Sequence, residues 1–581
     1  MQNNTLYIVD DDSTGIPKES QVTFLNQDNE EYPNRLNILD VFTEKQEELK
    51  NKLLVFNKQV FERIKPLLDN DDDYKYLLTS LFFEKSPYKT GYIYIFYKLN
   101  IIVNYIKSNN IKKIYLNTNR LNIVKFFEKF AKQNDINFEN LGSNQKEKKI
   151  KDIVMKSFTL SSLYFLKRET KKIFKKLKKN KQVHDKLVVS YYPNYYFEED
   201  EFISKYFGAV SKELNKNYDW LFIYVDDINK IGQEQSGLIG HHFNTYNFLD
   251  SFISVSNILQ ILKKANQLHS KFKKIKTNEL FYFNDIDYNA ILIDDWKKSI
   301  SSILIDTMIF EKKFENFLKL YNHNEILYLM EYQPWEDVLN KTARKHNICT
   351  KGVTHSVIRP NLVNYYHDTL LHSYMNTPNF IGSNGPLGHK IFQQNGFRDN
   401  QIKSIEAQRF NYLSEIEKEN IVSSKNLLIT TSIDYEETKE LLKTFSLAYK
   451  EKIFNKIFIK PHPDLDVQSI IKSINNFPEY EIIGGNMNDA FAMIDTVFTA
   501  NSSSVLLESL MNNKTTITLF SLRTLPMPAV NSHELLNIAT SVKNLEEILN
   551  SLEDEKKHIN YQEMLFLNQK LKMWHSFLGH K

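Results

Sequence analysis

Between Asn426 and Phe520 short apolar runs alternate with helix-length stretches, and polar residues gather where each apolar run stops. Residues 427–431, 456–460, 480–483, 496–500 and 515–520 have the composition of buried strands. The segments 435–449 and 505–511 between them have helical spacing. Strands joined by helices predict parallel pairing with crossovers, hence a doubly wound sheet. Ligands of such sheets sit beyond the carboxyl ends of the strands. Asp434, His462 and the run Ser502, Ser503, Ser504 all fall at those ends, which predicts a site there.

The same alternation, less regular, runs through the first half. Residues 5–9 read as a strand, 44–68 as a helix, and 111–117 with 121–134 as strand then helix. Strands are predicted again at 188–192 and 220–225. Long amphipathic helices at 247–264 and 299–320 predict packing elements or an acceptor-facing insertion around 245–320. A strand at 326–330 ends in Glu331, and Pro334 suits the first turn of a helix reaching about Lys345. A further strand at 347–353 leads to His355, so two successive strand ends present Glu331 and His355 to one edge. Residues 381–386 look like the crossing point between two units, 1–380 and 381–581, with closing helices at 545–552 and 561–578.

Composition narrows the function classes. The 581 residues carry 75 basic and 71 acidic side chains, a surplus of +4, which argues against a nucleic-acid binder. The lone cysteine, Cys349, excludes disulfides within the chain and thiolate metal clusters, and fits a reducing cytoplasm. Residues 1–12 lack the order of a signal peptide, and no window approaches the ~18 apolar residues of a membrane span. Residues 167–181 hold nine Lys or Arg, with Ile173, Phe174 and Leu177 on one side. That pattern predicts a basic helix, either in peripheral contact with an inner-membrane surface or simply solvated. The acidic clusters Asp10-Asp11-Asp12 and Asp226-Asp227 lack metal-site spacing and read as turns, so no metal is assigned.

Lys460-Pro461-His462-Pro463 follows a strand, and the prolines hold the backbone so that the imidazole stays at the sheet edge. There His462 can donate to a phosphate oxygen and Lys460 can add positive charge; the bland alternative is a turn-capping histidine. Asn501-Ser502-Ser503-Ser504 marks a strand-to-helix junction whose N–H groups and hydroxyls suit an anion, or serve as an ordinary N-cap. Glu508, one turn beyond Ser504, can reach a ribose hydroxyl or pack structurally. Gly-rich phosphate loops, GxGxxG and GxSxG are all absent from the sequence. A phosphate-binding histidine beside a serine-rich helix start therefore predicts a nucleotide-linked donor, with the nucleotide as leaving group.

Pro461-His462-Pro463 and Ser502-Ser503-Ser504 resemble the His-Pro and Ser-Ser/Thr motifs of bacterial sialyltransferases and capsule β-Kdo transferases. Thr354–Pro360 occupies the place of their acidic-Gly segment and shares Ile358-Arg359, without the acidic residues and the Gly. Asp434, 28 residues before His462, matches their catalytic Asp. Over most of the chain, 190–194, 202–208, Gln333-Pro334-Trp335-Glu336 and His355-Ser356 resemble a family of surface carbohydrate biosynthesis proteins. The resemblance implies a GT-B-like α/β fold, two Rossmann-type parallel-sheet domains facing a cleft, with the helical insertion in the N-terminal half. It implies transfer of a CMP-activated ulosonic or nonulosonic acid, such as Kdo, to a cell-surface glycan or glycolipid, without metal or other cofactor. Asp434, His355 and Glu331 would then be catalytic. Lys460, His462, Asn501, Ser502, Ser503, Ser504 and Glu508 would hold the nucleotide, and Arg359 would pair with the sugar carboxylate. The alternatives are a CDP-glycerol or CDP-ribitol polyol-phosphate transferase and a non-catalytic scaffold of a glycan assembly complex; a UDP-sugar epimerase of similar architecture fits the serine run poorly.

Overall fold

A computed structural model describes residues 4–10, 15–26, 28–142, 150–227, 229–241, 243, 245–415, 425–450, 453–462, 465–485, 487–552 and 564–579. Its frame is three parallel sheets in chain order. The N-terminal sheet runs Arg35–Leu36, Gln21–Phe24, Thr5–Val9, Lys113–Asn117, Asn137–Asn140 across its width. The middle sheet runs Tyr246–Phe248, Tyr218–Tyr224, Lys186–Tyr192, Glu325–Leu329, Cys349–Val353, Phe380–Ser383, Ile402–Ser404. The C-terminal sheet runs Glu481–Ile482, Lys456–Lys460, Asn426–Thr430, Thr496–Ala500, Thr515–Leu519, Leu536–Ala539. Each begins in its middle, winds outward to one side, then returns and winds to the other, which is the Rossmann order. Each sheet thus has a switch point, where crossovers leave to opposite faces and a crevice opens.

The strands are apolar for a physical reason: crossover helices cover both faces, so neither face meets water. Tyr218–Tyr224 is buried at all seven positions. The middle and C-terminal sheets are the two Rossmann units of a GT-B-like arrangement, and the N-terminal sheet is a third. By sheet membership Phe380–Ser383 and Ile402–Ser404 belong to the middle unit, so the chain passes to the last sheet after Ser404. The expected division at 380/381 falls inside that middle sheet, because the apolar strands there look like any others until their partners are known.

The helical insertion is present between Tyr246–Phe248 and Glu325–Leu329. Its first helix starts at Val255 and not at 247: Ser254 and Asn257 cap each other reciprocally, and Tyr246–Phe248 joins the sheet edge. The basic stretch differs as well. The helix is Phe158–Phe174, and Lys176, in the left-handed region at φ 48°, lies beyond its end. Arg168 and Lys172 turn inward, to Glu169 and Asp306 and to Asp250, beside the fully buried Lys313. Among the described residues no helix is long and apolar enough to cross a membrane.

The three units meet at residues 520–531, after the strand Thr515–Leu519. Phe520, Leu522, Leu525 and Met527 enter the hydrophobic core that the first two sheets share. Each such side chain is worth about 1.5–3 kcal/mol of burial. Polar bonds fix the same loop: Tyr94 Oη donates to the Ser521 carbonyl (2.8 Å), and Asn361 Nδ2 to those of Pro526 (3.0 Å) and the Gln46 amide (3.1 Å). Lys98 reaches the carbonyls of Leu25 and Leu522. At the end of the chain, Lys572–Leu578 crosses back to the middle sheet. Buried Glu406 accepts from the Met573 and Trp574 N–H groups (both 2.9 Å) at the start of that helix. Of the helix expected over 561–578, the described residues 564–578 are helical only over Lys572–Leu578, and 561–563 lie outside the described residues.

Candidate active site

The switch point of the middle sheet lies between Lys186–Tyr192 and Glu325–Leu329. Beyond the latter, Tyr332 takes a left-handed backbone (φ 58°) and Pro334 opens the next helix. Glu336, in that helix's first turn, reaches back and accepts from the N–H groups of Glu331 (2.9 Å) and Tyr332 (3.1 Å). Burial, then the nearby Glu331 charge, push the Glu336 carboxyl well above the usual carboxylate range. This carboxyl therefore shapes the turn that presents Glu331.

The next strand pairs Leu329 with Val353, which brings His355 beside Glu331. His355 Nε2 lies 3.5 Å from Glu331 Oε1, in ion-pair reach but longer than a good hydrogen bond. The other Glu331 oxygen accepts from Tyr191 Oη (3.3 Å) and Gln333 Nε2, and Trp335 Nε1 in turn donates to Tyr191 Oη (3.0 Å). Tyr206 meets the imidazole edge-on at 5.0 Å, and buried His355 Nδ1 has no partner. Burial lowers the His355 pKa, the Glu331 carboxylate pulls it up, and Arg409 lowers it further. The result is a neutral imidazole with one nitrogen facing a carboxylate, an arrangement suited to moving a proton.

Arg359, four residues on, crosses to the C-terminal unit. Its Nη1 donates to the carbonyls of Ser502 (2.8 Å) and Met527 (3.0 Å). Burial lowers its pKa, yet no carboxylate among the described residues pairs with it. A mostly buried guanidinium without a counter-ion is a natural anion receptor. The N-terminal unit closes the same region with residues 84–90. Glu84, pushed up by burial, is held by Lys89 and feels the Glu331 charge, and Lys89 Nζ approaches Gln333 Oε1 (3.4 Å). Tyr88, 70% exposed, stands near Arg359 and Tyr365.

On the C-terminal sheet, Asn426–Thr430 pairs with both Lys456–Lys460 and Thr496–Ala500. The structure thus brings Asp434, His462 and Asn501 to Ser504 to one carboxyl edge, at the switch point. The His462 N–H donates to Thr431 Oγ1 (2.9 Å), tying two strand ends together. Asn501 is fully buried; Oδ1 accepts from the Met527 N–H (2.9 Å), and Nδ2 lies 3.5 Å from Glu437 Oε1. Asp434 is exposed and caps the helix Tyr435–Ala448, Oδ1 accepting from the Glu437 N–H (2.8 Å). Ser503 Oγ accepts from the Val505 N–H (3.2 Å), and the Ser504 carbonyl accepts from Leu507 and Glu508. Two predicted members are engaged elsewhere. Lys460 Nζ donates to the carbonyls of Gly484 (3.1 Å) and Gly485 (2.6 Å), and Glu508 accepts from Tyr412 Oη (2.6 Å). Pro463 and Asp464 lie outside the described residues.

Sequence reasoning missed Glu336, Tyr191, Tyr206, Arg409 and residues 84–90. Tyr191, Trp335 and Glu336 stand in the segments that carried the family resemblance, so a signal existed for them. Residues 84–90 and Arg409 reach the site only through contacts between units and carry no local pattern.

No protein-family model matches the chain, and no curated protein matches it. Among solved structures, MurG of Acinetobacter baumannii aligns with 10% identity over 68% of this chain and 95% of its own, at a TM-score of 0.36. The UDP-GlcNAc 2-epimerase of Neisseria meningitidis bound to UDP-GlcNAc aligns with 12% identity over 67% and 97%, at 0.35. Anabaena HepE in complex with UDP-glucose aligns with 10% identity over 63% and 89%, at 0.32. Likeness at this level bears on neither donor nor chemistry; the strand orders carry the GT-B-like description of the fold.

Proposed function

We propose that the protein is a glycosyltransferase that moves a CMP-activated ulosonic or nonulosonic acid onto a cell-surface glycan or glycolipid. The observation that carries the reading is Arg359: a mostly buried guanidinium without a counter-ion among the described residues, from the middle unit, bound to the Ser502 carbonyl of the C-terminal edge. Such a group suits a donor with an anion on the sugar as well as on the nucleotide, as a 2-keto sugar acid has.

In this reading His462 and Ser502 to Ser504 hold the CMP phosphate, and Arg359 meets the sugar carboxylate. Glu331 and His355 handle the proton of the acceptor hydroxyl. The neutral imidazole, its Nε2–H facing Glu331, takes it at Nδ1 as the oxygen attacks the anomeric carbon, and Glu331 stabilises the imidazolium. CMP leaves with the bonding electrons of the broken C–O bond. Asp434, fixed through one oxygen by its cap, keeps the other for the sugar side, as nucleophile if configuration is retained and, in place of His355, as the base if inverted.

The test is a donor panel with purified full-length protein, measuring release of the free nucleotide. CMP release from CMP-Kdo or CMP-sialic acid, lost in His355→Ala, supports the reading. Turnover of CDP-glycerol or CDP-ribitol alone replaces it with the polyol-phosphate transferase. Glycan made in cells by a His355→Ala, His462→Ala protein replaces it with the scaffold.

A further inference from the structure

The inward side of helix Phe158–Phe174 is occupied: Ser161, Phe165 and Glu169 are buried, and Arg168 and Lys172 reach the internal carboxylates. Its outward side is of a different kind. Leu160 (40% exposed), Leu163 (59%), Tyr164 (42%) and Phe174 (74%) fall on one stripe at helical spacing. Lys167 and Lys171, both exposed, stand between them. Beyond the helix, Lys175, Lys176, Lys178, Lys179 and Lys181 are also exposed. Among the described residues none of these seven lysines has a carboxylate at ion-pair distance. The neighbouring helix Val255–Phe272 packs alongside and exposes Val255 and Leu259.

Charge makes the surface specific. Residues 150–181 hold eleven Lys or Arg against Asp152 and Glu169, a surplus larger than the +4 of the whole chain. The rest of the molecule is therefore net acidic, and the basic surplus is concentrated here. A soluble polyanion would answer the lysines but would leave Leu160, Leu163 and Phe174 in water. The interfacial zone of a bilayer answers both: aliphatic and aromatic tips enter the acyl boundary while lysine stems run up to the headgroups.

We propose that the outer face of Phe158–Phe174, with the lysine run to Lys181, docks the protein on an anionic lipid bilayer. This inference stands apart from the donor chemistry, and either can fail alone. Each lysine near an anionic surface strengthens binding about fivefold at low salt. The experiment is cosedimentation of the full chain with vesicles of phosphatidylcholine, with and without ~30 mol % phosphatidylglycerol, at low and high salt. The expected result is binding to anionic vesicles that weakens in high salt. Lys167→Glu/Lys171→Glu should weaken it more than tenfold, and Leu163→Ser/Phe174→Ser about tenfold. All four positions are exposed, so an unchanged thermal midpoint shows that each variant is folded. Absence of binding to anionic vesicles, equal binding to neutral ones, indifference to either double substitution, or retention by heparin without vesicle binding would overturn the proposal.

Discussion

The carboxyl edges of the N-terminal and middle sheets are built on the same strand order, yet they are finished in opposite ways. At the N-terminal switch point Arg120 grips both oxygens of Asp10, and Thr118 Oγ1 donates to the same carboxylate. Gly142 lies so close over Thr118 that a Cβ there would sit 2.3 Å from the Thr118 carbonyl oxygen. Among the described residues that edge is internally paired and shut. At the middle switch point, among the described residues, Glu331 and His355 sit 3.5 Å apart, His355 Nδ1 is unpartnered, and Arg359 has no carboxylate. Topology supplies a crevice three times; chemistry is expected where the polar groups at the crevice are left incompletely paired. Buried groups in that state cost free energy, which argues that they are kept for a ligand.

The largest expected effect breaks the open edge. His355→Ala should lower turnover by about 10²–10⁴-fold with donor affinity nearly unchanged, as removal of a proton-transfer group does. Single-turnover kinetics separate the two. Arg120→Ala at the closed edge should leave turnover intact while costing about 1–2 kcal/mol of stability, read from urea unfolding. Equal losses of activity from both would erase the distinction between the edges.

Next comes Arg359. Arg359→Lys keeps a charge but loses the planar fork, and it should raise the KM for the donor well before it alters the fold. Analogues lacking the sugar carboxylate should not distinguish wild type from this variant.

The pH dependence sharpens the same contrast. The folded pKa of His355 is lowered, chiefly by burial, so the folded protein resists protonating it. Its contribution to stability is full above its ordinary value of about 6.5 and is lost as pH falls through the lower folded value. His355→Gln should flatten the acid limb of a stability–pH curve and remove the acid limb of activity with it. An unchanged curve would mean that the imidazole is not held neutral by its surroundings.

The smallest expected effect on stability concerns Asp434, which caps the helix Tyr435–Ala448. Asp434→Ser keeps a capping oxygen and should change stability by only a few tenths of a kcal/mol, against about 1 kcal/mol for Asp434→Ala. If the carboxylate serves the sugar, Asp434→Ser still abolishes transfer; full turnover in that variant would leave Asp434 a cap only.

Much of this was legible in the chain. The strand ends at Thr430, Lys460 and Ala500 lie side by side as the period of the apolar runs predicts. Glu331 and His355 share an edge because successive parallel strands joined by one helix end in the same direction. The partners of each strand were not legible: Phe380–Ser383 is apolar whichever sheet it joins, and 5–9 is a strand whether or not a third sheet forms around it. The hydrogen bonds that Lys460 and Glu508 make were not legible for a related reason. A lysine after a strand looks the same whether it meets a phosphate or the carbonyls of Gly484 and Gly485.

The sequence by itself determined the alternation of parallel strands and helices and the edge at which polar groups collect, because both follow from short continuous apolar runs alternating with 3.6-residue helical spacing along a single segment. Only the tertiary structure decided that Arg359 reaches Ser502, that Glu336 props the turn before Glu331, and that residues 84–90 close the cleft. Those are contacts between units far apart in the chain. Their energies depend on burial and on which carboxylates stand nearby, and neither is written in local pattern.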